Sequence, residues 1–151
     1  MTNLPEIQML SVASFDQLAG QMPRTTPWFT LFLVWEQPET GIDQLVERLR
    51  PLIDNGLVYF CGWGEGSEEM HDAIDRIVSE REQSGCCLSA AVMSSSHSDE
   101  SLGEALGFFR EHALPTDPEV FANFSRHAVA IGSDALAHRL RQALLRQGIK
   151  G

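Results

Sequence analysis

The chain has 151 residues, the size of one ordinary domain, and 43% of them are apolar, enough to bury a core without staples. Lys and Arg number 11 against 21 Asp and Glu, a formal net charge of −10. That balance speaks against nucleic acid and anionic membranes, which need clustered cations, and fits a basic protein partner, a cation or a metal ion.

Residues 1–12 have no basic flank and carry Glu6 inside a mildly apolar stretch, unlike a secretory leader. Within them 7–12 can form a short strand. Ser14 and Gln17 have capping-box spacing, which predicts a helix over 15–22, ended by Pro23 and Pro27. Residues 28–35, WFTLFLVW, are aromatic and β-branched without alternation, the pattern of a strand buried on both faces. This longest apolar run is interrupted by Thr30 and is too short to span a bilayer, so the chain reads as cytoplasmic. Glu36 ends the strand and Thr40 can cap a helix with Leu45, Val46, Leu49, Leu52 and Ile53 at helical spacing. Pro51 should kink that helix or split its last turn, and Asn55-Gly56 should stop it.

Residues 57–61 predict the next strand. It runs into Gly62-Trp63-Gly64-Glu65-Gly66 and then a helix from Ser67 to about Glu82 with Met70, Ala73, Ile74, Ile77 and Val78 on one stripe. A third strand is expected over 86–93, followed by a polar turn over 94–99. Ser101 and Glu104 form a capping box for a helix reaching His112. Asp117-Pro118 reads as N-cap and first residue of a short helix. Residues 127–131 predict the fourth strand, and Gly132-Ser133-Asp134 opens a last helix closed by Gly148. Cys61, Cys86 and Cys87 sit in apolar runs with no CxxC pair and read as reduced thiols.

Strands alternating with helices pair in parallel through right-handed crossovers. The expected fold is a single-domain three-layer α/β/α sandwich with a mostly parallel sheet of four or five strands. Ligand sites of such folds lie at the carboxyl ends of the strands. That edge should gather Glu36, Gly62, Trp63, Gly64, Glu65, His71, Asp75, His97, Asp99, Ser133 and Asp134. Trp63, Glu65, His71, His97 and Asp134 should be its most exposed members.

No motif identifies a reaction. The glycine turn is G-x-G-x-G, neither the dinucleotide fingerprint nor a P-loop, and Glu65, Glu68 and Glu69 would repel a diphosphate. Glu68, His71, Asp72 and Asp75 fall on one arc of a helix and are the candidates for a divalent metal ion. Ordinary dipole partners and a surface His–Asp pair would look the same. Ser94, Ser95, Ser96 and Ser98 flank His97 but read first as turn and cap residues, and no G-x-S-x-G elbow occurs.

Tyr59-Phe60-Cys61-Gly62-Trp63-Gly64 followed by His71-Asp72-Ala73-Ile74-Asp75 resembles a pattern in small bacterial α/β proteins of unknown function. The resemblance covers residues 59–75 and implies no activity. Three functions stay open: a binding or regulatory protein that takes a basic protein partner, a small hydrolase or transferase with an acidic, metal-bearing cleft, and a small-ligand sensor.

Overall fold

Strand β2, Trp28–Trp35, is the axis of the molecule: Leu31, Phe32, Leu33 and Val34 are wholly inaccessible to solvent. The computed structural model describes residues 4–22, 26–35, 41–85 and 91–148. β2 pairs in parallel with β3 (Leu57–Trp63) on one side and β5 (Phe124–Ile131) on the other. β1 (Ile7–Val12) adds outside β5, and β4 (Met93–His97) adds outside β3. The sheet is five-stranded and all parallel, in the order β1-β5-β2-β3-β4.

Steps β1 to β2, β2 to β3 and β3 to β4 all advance across the sheet in one direction, whereas β4 to β5 returns. Right-handed crossovers then put the first three connections on one face and the fourth on the other. The packing follows. On one face, α1 (Leu18–Gln21), α2 (Ile42–Asp54) and α3 (Ser67–Gln83) bury Leu18, Leu49, Met70 and Ile74 against Leu31, Leu33, Phe60 and Val129. On the other, α4 (Leu102–His112) and α6 (Asp134–Arg146) bury Leu106, Phe109, Leu136 and Leu140 against Phe32, Val34, Cys61 and Ala128. The short α5, Pro118–Phe121, is capped by Asp117, whose carboxylate accepts from the amides of Glu119 and Val120. Among the described residues no helix is long and apolar enough to cross a membrane.

Several local expectations change. The segment after β1 is a 3-10 turn, Phe15–Gln17, leading into the short α1. Ser14 caps nothing with its side chain; its carbonyl accepts from the Gln17 amide at 3.2 Å. Pro51 does not split α2, which runs on to Asp54. An interior proline costs about 3 kcal/mol, and the next two residues, Leu52 and Ile53, are both buried. Each such burial contributes about 1.5–3 kcal/mol, enough to hold the turn. Thr40, the expected cap, lies outside the described residues.

The third predicted strand is displaced. Residues 91–92 are not strand, 86–90, with Cys86 and Cys87, lie outside the described residues, and β4 occupies part of the supposed polar turn. Its serines are tolerated because β4 is an edge strand and the hydroxyls of Ser94 and Ser95 find partners. β5 begins earlier than expected and carries Ser125, Arg126 and His127 into the interior, each under 7% exposed.

Arg126 has no carboxylate partner among the described residues. Its guanidinium donates to the carbonyls of Arg110 (2.7 Å) and Pro5 (3.5 Å), lies 5.7 Å from the Phe109 ring centre, and leaves Nε unpaired. On the opposite face of β5, His127 Nε2 is 2.9 Å from the Ser125 hydroxyl, itself 3.0 Å from that of Thr26.

Burial holds the His127 pKa below its ordinary 6.5. The unfolded chain therefore takes up a proton that the folded chain resists, and stability falls as pH drops below 6.5. Melting temperatures between pH 7.5 and pH 5 should decline less steeply for His127→Gln than for the unaltered protein. Equal slopes would mean that His127 is not held neutral.

Candidate functional site

The parallel register sets Trp63 beside His97 at the carboxyl ends of β3 and β4. The turn out of β3 needs its glycines for two reasons. Gly64 and Gly66 adopt φ of 96° and 85°, where a side chain is strained. Gly62 instead admits α3: a Cβ there would stand 3.2 Å from the Ser67 Cβ and 3.3 Å from the Met70 Cε.

Trp63 is half-buried rather than an exposed lid. Its indole N–H donates to the Glu100 carbonyl at 2.9 Å, and the Arg139 guanidinium stacks 5.2 Å from its ring centre. The ring thus ties the turn after β4 to α6.

His97 is buried, at 5% exposure, not displayed on a turn. Its Nδ1 lies 2.9 Å from Glu100 Oε1, its Nε2 lies 2.9 Å from Ser95 Oγ, and Phe108 covers the ring with centroids 4.8 Å apart. A carboxylate at Nδ1 keeps the proton there, so Nε2 accepts from the Ser95 hydroxyl. Ser95 Oγ in turn is 3.3 Å from Cys61 Sγ. Carboxylate, imidazole, hydroxyl and thiol form one line from the surface inward. Burial pushes the Cys61 thiol up to about 12, so it is a weak hydrogen-bond donor and not a thiolate nucleophile.

His71 and Asp75 do meet, as their spacing on a helix predicts, with Nε2 to Oδ2 at 3.4 Å. The other ring nitrogen, Nδ1, is 2.6 Å from the Ser94 hydroxyl, which also reaches Asp75 at 3.3 Å. Ser94 and Ser95 point to opposite faces of β4, because successive strand side chains alternate. His71 therefore sits on the α3 face and His97 on the α4–α6 face, and the two do not converge.

The remaining candidates are spread along the edge. Asp134 follows β5, three strand spacings or roughly 14 Å from β4. Ser133 is committed as the cap of α6, accepting from the Leu136 amide. Glu65 and Asp99 are exposed, and Glu36 lies outside the described residues. Glu68 accepts from the Ser98 hydroxyl at 3.4 Å and Asp72 is exposed. Among the described residues no three His, Cys, Asp or Glu side chains come together as metal ligands. Of Glu68, His71, Asp72 and Asp75, the structure brings His71 and Asp75 together on Ser94, while Glu68 faces Ser98.

Sequence reasoning missed Ser95, Glu100 and Arg139 as parts of one arrangement. The signal for the first was Ser-x-His, which shares one face only if the segment is a strand. Two concavities are lined by other residues. A cleft of 260 Å³ at the ends of β1, β5 and β2 includes Ser14, Asp16, Trp35 and Gly132, with Arg48 paired to Asp16 at 3.1 Å. A groove of 780 Å³ lies between α4 and α6.

Iodoacetamide at pH 8 should leave Cys61 unmodified in the native protein and alkylate it after denaturation, as mapped by peptide mass spectrometry. Equal modification in both states would show that the thiol is neither buried nor raised.

No curated protein and no solved structure matches the chain. One family model does, over residues 7–147, described as a domain of unknown function, DUF7684. The match runs from the first residue of β1 to the residue after α6, and the chain accordingly belongs to the DUF7684 family.

Proposed function

We propose that this is a cytoplasmic binding or regulatory protein that takes a basic protein partner on the edge formed by the turns after β3 and β4. The observation that supports it is the segregation of charge. Between α2 and α3, Asp43, Asp54 and Glu80 pair with Arg76, Arg81 and Arg50. At the proposed edge Glu65, Glu68, Glu69, Asp72 and Asp99 are exposed, and none is in an ion pair among the described residues. Arg139, on α6, is stacked on Trp63. Uncompensated carboxylates on adjacent turns give a field that steers a basic surface inward and is screened within a Debye length of about 8–10 Å.

The test is an NMR titration with an oligo-arginine peptide. Shifts should concentrate in residues 64–72 and 98–101 and fade as salt rises. Glu68→Lys with Asp72→Lys should weaken binding by about tenfold or more, while Glu82→Lys at the far end of α3 should not. Shifts spread evenly over all acidic surface would defeat the proposal.

A second reading, a small hydrolase or transferase, rests on Glu100, His97 and Ser95 in line at 2.9 Å per contact. There His97 would take the Ser95 proton as the oxygen attacks an acyl carbon, then give it to the leaving group. A fluorophosphonate probe should label the native protein at Ser95, with labelling lost in Ser95→Ala and kept in Cys61→Ser. An unlabelled Ser95 would leave the three side chains a structural tie.

A further inference from the structure

We infer that the groove between α4 and α6 is a binding site for a small organic anion carrying phosphate or carboxylate groups. The inference is independent of the basic-partner reading, since the groove has the opposite charge to that edge. Its volume, 780 Å³, lies within the roughly 300–1,000 Å³ of small-molecule sites.

The lining is the unusual feature. Ser101, His138, Arg139, Gln142, Arg146 and Gln147 supply its polar groups, and no Asp or Glu among the described residues lines it, in a chain where acids outnumber bases 21 to 11. Arg139 and Arg146 are two turns apart on one side of α6, about 10.5 Å along its axis. The arginines of α2 and α3 are each held by a carboxylate; Arg146 has no ion pair or hydrogen bond among the described residues. Among the described residues Arg139 uses only the face of its guanidinium, against Trp63, and its in-plane N–H groups stay available for an oxyanion.

The spacing of the two arginines sets the ligand's shape. With Arg139 and Arg146 about 10.5 Å apart along α6, a ligand with two separated anionic groups fits better than a compact inorganic one.

The experiment titrates the intact protein with inorganic pyrophosphate, citrate and a hexose 1,6-bisphosphate. It follows Trp63 fluorescence against a Trp63→Phe control, together with the amide shift of Gly103. At least one of the three should bind below millimolar concentration, the hexose bisphosphate more tightly than pyrophosphate. Arg139→Ala and Arg146→Ala should each weaken it at least about tenfold, the loss of one charge-assisted contact. Arg141→Ala, on the same helix but outside the groove, should leave affinity unchanged. Loss of affinity in Arg141→Ala equal to that in Arg146→Ala would reduce the effect to general attraction and overturn the site. So would the absence of binding by all three probes to a protein whose melting temperature is normal.

Discussion

β2 is hydrogen-bonded along both edges and covered on both faces, and everything else takes its position from it. Parallel pairing with β3 and β5 fixes which way every strand runs, and hence that the turns after β3 and β4 share an edge. A strand with no solvent face cannot shift register by one residue without exchanging its two apolar sets between different helical layers. Leu31 and Leu33 serve one layer and Phe32 and Val34 the other, so the register of the whole sheet is held by packing rather than by turns.

The same alternation divides the chemistry. In β4 the even-numbered Ser94 meets His71 and Asp75 under α3, while the odd-numbered Ser95 and His97 meet Cys61 and Glu100 under α4. Two imidazoles that both meet serines of β4 therefore lie in separate surroundings, one half-exposed and one buried. Charge is divided similarly among the described residues: ion pairs link α2 to α3, the edge beyond β3 and β4 carries acids without ion pairs, and Arg139 and Arg146 of the α4–α6 groove have none either. Exposed pairs on the first surface contribute little stability each; their larger effect is to remove those acids and arginines from the field felt by a partner.

The sequence made β2, β3, α3, α4, α5 and α6 legible because burial on two faces leaves an unbroken apolar run, and caps such as Ser101 and Asp117 leave a side-chain signature. β4 was hidden because an edge strand bears on only one neighbour and tolerates hydroxyls, so Met93-Ser94-Ser95-Ser96-His97 carries turn composition in strand geometry. Missing that strand also hid the Ser95–His97–Glu100 line. Arg139 and Trp63 meet only through the placement of α6 over the sheet, which local spacing cannot express. The location of the candidate edge was thus readable, and the partition of its side chains between two faces was not.

The strand order carries a consequence for how the chain is made. β5 lies between β1 and β2, yet it is the last of these five strands to be synthesised. Until it emerges from the ribosome, β1 has no neighbour and one whole edge of β2, the most apolar strand in the molecule, is open. A nascent chain with β1 to β4 complete presents an unpaired template of the sort that recruits another extended chain. Closure then depends on long-range pairing between the first and last thirds of the sequence, the slowest kind of contact to form. Ile7 to Val12 can be held only afterwards, by residues 126–131, which reach them from more than 100 positions along the chain.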